Sequence, residues 1–222
     1  MARRTKEQAA ETREQLLDAA ERVFCSKGVA QTTLDDIARE AGLTRGALYW
    51  HFKNKTDLFS AMCDRVSLPM QAMLDATVLE PGSDPLGRLS RDGARILRQV
   101  SEDPRTMRVF EILMFRVELN DVVQTVLQAE KERGQHCRVQ LTEVLRAAKA
   151  QGQLPGHVDC GLGAYALNSF MIGCIREWLE YREFNLADRS EWLMDTFFAG
   201  LRNAPPPPTG VAEFKSEPTV SK

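Results

Sequence analysis

The segment from Leu34 to Phe52 constrains this 222-residue chain more than any other. Two short stretches, 34–40 and 45–51, carry apolar residues at helical spacing, with Ala41-Gly42-Leu43 between them. Helices this short do not persist alone, so each must be held by packing. The residue types fit that demand. Ala38 is small enough to let a second helix come close, and Gly42 stands where a tight turn favours positive φ. Ile37, Leu43, Leu48 and Phe52 supply the apolar contacts. Thr33, with Asp36 three residues on, is a capping box for the first stretch, and Thr44 is an N-cap for the second.

Together these features form the pattern of a helix-turn-helix, whose second helix enters the major groove of DNA. The outward residues then have a common purpose. Arg45 opens the second helix, and its planar fork can donate two hydrogen bonds to guanine O6 and N7. Gly46 and Ala47 are small, so the helix can lie close to the groove. Tyr49 and His51 offer polar tips to phosphates. Lys53 and Lys55 stand at the start of the next helix, where free N–H groups favour an anion. Arg3, Arg4 and Lys6 form a basic N-terminal arm able to reach a phosphate. Taken as an ordinary helical hairpin, the same residues would be solvated charges, but caps, turn, core and cations recur together here.

Everything else reads as helix, so the expected fold is all-α. The expected helices are 7–27, 34–40, 45–51, 55–79, 85–102, 104–117, 120–151, 159–181 and 188–203. In the first, Leu16, Leu17, Ala20, Val23 and Phe24 form one apolar stripe, and Gly28 ends it. The breaks at 80–85 and 152–156 are rich in Gly and Pro. Three regions follow: 1–54 as arm and helix-turn-helix, 55–203 as a ligand-binding and dimerisation domain, and 204–222 as a proline-led tail expected to be disordered.

At 43% hydrophobic residues the chain can bury a core without a cofactor, and none is expected. The net charge of −2 excludes a wholly basic nucleic-acid coat but not a local DNA face. No apolar run approaches a membrane span and the start is not a secretory signal, so a cytoplasmic location is expected. The five cysteines lack C-x-x-C spacing and the three histidines lack a helical metal spacing. Cys63 and Cys137 read as buried inert thiols, and His136 and His157 as solvent-facing. No paired carboxylates, nucleophile elbow or P-loop point to an enzyme.

The first sixty or so residues resemble the TetR family of transcriptional regulators. The resemblance runs through Thr12-Arg13, Ala19-Ala20, Phe24, Gly28-Val29, Thr32-Thr33-Leu34, Ile37-Ala38, Ala41-Gly42-Leu43, Arg45-Gly46, Leu48-Tyr49, His51-Phe52 and Lys55 to Leu58. The start 1–7, Tyr49-Trp50-His51-Phe52, Phe110-Glu111-Ile112-Leu113 and Gly152-Gln153-Leu154-Pro155 are similar to the branch that represses multidrug efflux operons. The resemblance implies DNA contacts at Thr33, Thr44, Arg45, Tyr49, His51 and Lys55. Trp50 departs from many members and takes either a packing or a phosphate role.

The resemblance also implies a homodimer paired through the last two helices, where Trp178, Trp192, Phe197 and Phe198 read as interface or core anchors. A small hydrophobic effector is expected among flexible and bulky apolar residues: Met70, Met73, Ile96, Leu97, Phe110, Leu113, Met114, Val117, Leu167, Phe170 and Met171. Glu111, Glu118, Asn168 and Arg176 are its expected polar partners. The dimer would hold two recognition helices about 34 Å apart on a pseudo-palindromic operator. An effector that prefers another spacing would draw the protein off DNA, with the helix 55–79 as lever. Control of an efflux operon is the leading expectation; a TetR-type regulator of another pathway, with a different effector, is the alternative.

Overall fold

The structure, a computed structural model, describes residues 2–117 and 121–206. All regular structure among them is helical: α1 (Ala2–Lys27), α2 (Leu34–Glu40), α3 (Arg45–His51), α4 (Lys55–Leu79), α5 (Pro85–Glu102), α6 (Pro104–Glu111), α7 (Asp121–Ala150), α8 (Cys160–Tyr181) and α9 (Leu186–Arg202). Among the described residues no helix is long and apolar enough to cross a membrane. Glu118 and most of the proline-led tail, from residue 207 on, lie outside the described residues.

Two compact units divide the chain. One spans residues up to 68 and again 103–130; the other holds 69–102 and the chain from 131. Helix α4 runs through both, and the division falls at Pro69, which has no N–H to give the Arg65 carbonyl.

In the first unit, Leu16, Leu17, Ala20 and Phe24 of α1 are fully buried, so the expected stripe is the core face. Phe24 meets Phe59 of α4 edge-on at 5.5 Å between ring centres. Ile37 of α2 and Leu48 of α3 are fully buried as well. Gly28 and Gly42 take φ of +80° and +67°, the left-handed turns that glycine enters without a Cβ penalty.

In the second unit α5 lies along α9. The approach is close: a Cβ on Gly93 would sit 2.4 Å from Met194 Cε. Leu86, Leu97, Met194 and Phe198 are buried there. On α8, the Trp178 indole N–H donates to the Phe184 carbonyl at 2.8 Å and pins the turn into α9.

Besides one-residue shifts at the C-terminal ends of α7 and α9, four boundaries differ from expectation. α1 begins at Ala2, so the basic arm is helix; Arg, Lys, Glu and Gln are good helix formers. The expected helix 104–117 is α up to Glu111 and then a π-helical turn, Ile112–Arg116. α8 begins at Cys160, with Asp159 as its cap rather than its first residue: the carboxylate accepts the Gly161 and Leu162 N–H groups at 2.9 and 3.0 Å. α9 begins at Leu186, two residues early, because Asn185 caps it, its side chain accepting the Ala187 N–H at 3.0 Å.

Candidate nucleic-acid interface

The reading head is built on caps. Thr33 Oγ1 accepts the Asp36 N–H at 3.1 Å, and the Asp36 carboxylate accepts the Thr33 N–H at 3.0 Å. This is the expected capping box. Lys27 donates to Asp36 at 2.9 Å. The Lys27 ammonium and then Thr33 hold the Asp36 carboxyl well below its ordinary value of 3.8. A carboxyl depressed by folding stabilises the protein above its unfolded value and loses that contribution as pH falls through the folded one. We expect the stability gap between the wild type and Asp36→Asn to start narrowing below about pH 5, as the unfolded carboxyl takes up its proton, and to be still narrowing at about pH 3. Urea midpoints across that range check it; a constant gap would contradict it.

Thr44 Oγ1 accepts the Ala47 N–H at 3.2 Å and starts α3. Arg45 follows in the first turn with its side chain about two-thirds exposed. Asp35 of α2 holds its Nε at 3.2 Å, and the Tyr49 hydroxyl accepts from it at 3.4 Å. The guanidinium lies 5.4 Å from the centre of the Tyr49 ring. Arg45 is thus displayed and oriented rather than free to sweep. Asp35 is the partner that sequence reading missed; only the crossing of α2 and α3 brings it to Arg45.

Trp50 is more exposed than Tyr49 and stands edge-on to His51 at 4.5 Å. It rims a shallow groove of about 280 Å³ with Thr5, Gln8 and Thr12 of α1 and Ala47 and His51 of α3. Burial, and then the nearby Arg13 charge, push the His51 pKa below its ordinary value, so the ring is neutral at pH 7. It can donate a hydrogen bond to a phosphate but adds no charge. Gly46, Lys6, Lys53 and Thr33 are exposed; the Arg4 side chain is not among those described.

Lys55 differs from expectation. Its ammonium donates to the carbonyls of Val29, Ala30 and Thr32 at 2.9, 3.1 and 2.9 Å. An ammonium has three donors, and all three are taken by the turn between α1 and α2. The start of α4 is also capped from within: Asn54 accepts the Asp57 N–H at 2.8 Å, and the Asp57 carboxylate accepts the Lys53 N–H at 2.9 Å. A carboxylate therefore already stands where an anion was expected.

The effector candidates fall into the two units. Phe110, Glu111, Leu113, Met114 and Val117 belong to the first; Met70, Met73, Ile96, Leu97, Leu167, Asn168, Phe170 and Met171 belong to the second. Leu97 and Leu167 are core residues, and Arg176 is exposed. Within the second unit an open cleft of about 470 Å³ is lined by Phe170 with Cys174, Trp178, Tyr181, Phe184 and Leu193. None of the other effector candidates lines it. Of the proposed pairing residues, Trp178 and Phe198 are buried inside the subunit and serve its core. Phe197 is partly covered by Phe170 at 5.1 Å, and Trp192 is about two-thirds exposed.

Cys63 is buried, and burial pushes the Cys25 thiol up to about 11 and that of Cys137 upward as well. Such thiols stay protonated and unreactive near neutral pH. His136 is exposed; exposed His157 meets the Ala204 carbonyl at 2.7 Å. Among the described residues no group of His, Cys, Asp and Glu is arranged to hold a metal.

A family model described as bacterial regulatory proteins, tetR family, matches residues 16–62. A second, the C-terminal region of MAATS-type transcriptional repressors, matches residues 84–202. The chain belongs to the TetR family. It is a TetR-type transcriptional repressor, not an enzyme. TtgR of Pseudomonas putida, a helix-turn-helix transcriptional regulator, is 39% identical to this TetR-family chain over 92% of it and 98% of TtgR. The crystal structure of NalD, the secondary repressor of the MexAB-OprM multidrug efflux pump in Pseudomonas aeruginosa, is 30% identical. It superposes with a TM-score of 0.79 over 89% of this chain and 99% of NalD. SmeT, the repressor of the Stenotrophomonas maltophilia multidrug efflux pump SmeDEF, has been seen with triclosan. That complex is 28% identical with a TM-score of 0.78, over 96% of this chain and all of the other.

Proposed function

We propose that this TetR-type protein is a dimeric repressor of a multidrug efflux operon, released from its operator by a small hydrophobic effector. The observation that carries the DNA part is Arg45. It stands exposed in the first turn of α3, with Asp35 and Tyr49 fixing its direction. A pre-oriented fork loses little entropy on docking to a guanine edge. Thr44 keeps a hydroxyl hydrogen to donate, and Tyr49 and neutral His51 flank it. The likeness to NalD and SmeT, each the repressor of a multidrug efflux pump, supports efflux control as the regulated process.

Pairing through α8 and α9 has support in an exposed apolar stripe. Leu162, Tyr165 and Ile172 of α8 and Trp192 of α9 are each about half exposed or more. Trp192 keeps the anchor role given up by Trp178 and Phe198. The effector part rests on the partly covered Met70, Met73, Ile96, Phe110, Met114 and Met171, whose flexible side chains suit varied apolar ligands.

The test is fluorescence anisotropy with promoter DNA from the gene itself and from a neighbouring transporter operon. Arg45→Ala is expected to weaken specific binding about tenfold to a hundredfold and to relax preference at one base position. Binding by the wild type that is absent, or indifferent to Arg45, would overturn the assignment.

A further inference from the structure

Three carboxylates on α1, Glu14, Asp18 and Glu21, are spaced four and three residues apart and so share one face. Three arginines of the same unit meet them: Arg65 of α4, and Arg105 and Arg108 of α6. Arg65 Nη1 reaches Glu14 and Asp18 at 2.8 Å each, and its Nη2 bonds Glu21 Oε1. Arg105 reaches Asp18 at 3.1 Å. Arg108 brings Nε and Nη2 to Glu21 Oε2, at 3.2 and 3.0 Å. Glu21 is fully buried, and the Arg65 side chain is one-tenth exposed.

The division at Glu21 leaves one group out. Arg65 Nε is buried and finds no acceptor among the described residues. On a guanidinium, Nε and Nη2 share an edge and normally close side-on against both oxygens of one carboxylate. Arg65 has made half of that pair, because Arg108 holds the other oxygen with both of its own edge donors. A buried donor left without an acceptor is costly and rare. Here it is the trace of a competition: two arginines, from two different helices, want the same carboxylate edge.

We propose that Glu21 is a positioning residue with two discrete partners, and that withdrawal of Arg108 by α6 lets Arg65 close side-on upon it. This rests on the repressor reading and supplies its regulation. In the first state Glu21 ties α1 to both α6 and α4; in the second it ties α1 to α4 alone, while Arg105 of α6 keeps its own hold on Asp18. Of the two bonds lost to Arg108, one is replaced by the bond gained at Arg65 Nε, so the exchange costs less than a plain loss of Arg108 and a bias from α6 selects between the states. A second tie runs alongside: the Val29 N–H, just after α1, donates to the Arg116 carbonyl of the π-helical turn at 3.1 Å. Movement of α6 therefore bears on the body of the reading head, since α1 carries the face on which α2 and α3 pack.

The experiment follows the Arg65 Nε–H by NMR in the full chain labelled with ¹⁵N-arginine, its signal identified by loss in Arg65→Lys. In Arg108→Gln the resonance is expected to move downfield and its exchange with water to slow, as Nε gains a carboxylate oxygen. Promoter affinity should fall about tenfold, by more than any fall in melting temperature accounts for, and Arg108→Lys should restore most of it. An Arg65 Nε–H that is the same in Arg108→Gln and wild type overturns the proposal. So does an affinity loss that only follows a fall in melting temperature. Failure of the wild type to bind promoter DNA would instead remove the repressor reading, while the NMR result would still report on the exchange at Glu21.

Discussion

Truncating Glu21 to alanine is expected to cost about 3 kcal/mol of folding stability, because it leaves donors of Arg65 and Arg108 without their buried acceptor. Arg65, nearly enclosed, would lose the partner of its Nη2 and keep an orphaned Nε; Arg108 would lose its carboxylate altogether. The charges cannot simply neutralise, since a guanidinium does not deprotonate in a protein. The expected readout is a fall in the urea midpoint at unchanged slope. Replacing Glu21, Arg65 and Arg108 together by Leu, Met and Leu should recover most of that loss, because a packed apolar cluster carries no desolvation cost. The single and triple variants separate two explanations. If Glu21→Ala costs less than about 1 kcal/mol, the cluster is a wet surface network and its burial contributes nothing.

That cluster was invisible in the sequence. Glu14, Asp18 and Glu21 at helical spacing carry no local sign of burial, and their partner Arg65 lies 44 residues beyond Glu21. Long-range charge pairing leaves no local pattern. The helix-turn-helix, by contrast, was legible almost to the residue, since it is made of local rules. Thr33, Asp36 and Thr44 act within three positions of the N–H groups they cap. Gly28 and Gly42 announce positive φ by being glycine. The π-helical turn at Ile112–Arg116 had no such sign. It follows a single extra residue in the winding of α6, and Ile-Leu-Met-Phe-Arg serves a regular helix equally well. The start of α9 was ambiguous for another reason: Asn185 and Asp188 are both good caps, and packing of buried Leu186 and Ala187 favours the earlier one. On α8, Trp178 and the exposed Leu162 look alike by hydropathy. Only the direction in which each faces separates a core residue from a surface one.

Lys55 is a motif residue with two candidate tasks. Sequence reading gave it a phosphate; the structure gives it three carbonyls of the turn that joins α1 to α2. The two tasks predict different behaviour. Lys55→Met keeps the stem and removes the ammonium, leaving Val29, Ala30 and Thr32 short of a donor. A loss of about 2 kcal/mol is expected, within the usual range for hydrogen bonds to a charged group after allowance for partial exposure. Arginine should not rescue it, because a planar fork cannot meet three carbonyls converging on one point. Promoter affinity should fall as well, since the turn sets where Thr33 begins α2 and hence where α3 presents Arg45. The salt dependence decides between the tasks. A lost phosphate contact would reduce the slope of log affinity against log salt by about one. A lost positioning contact lowers affinity at every salt concentration and leaves that slope as it was. We expect the second result, measured by anisotropy titrations of wild type and Lys55→Met at rising salt.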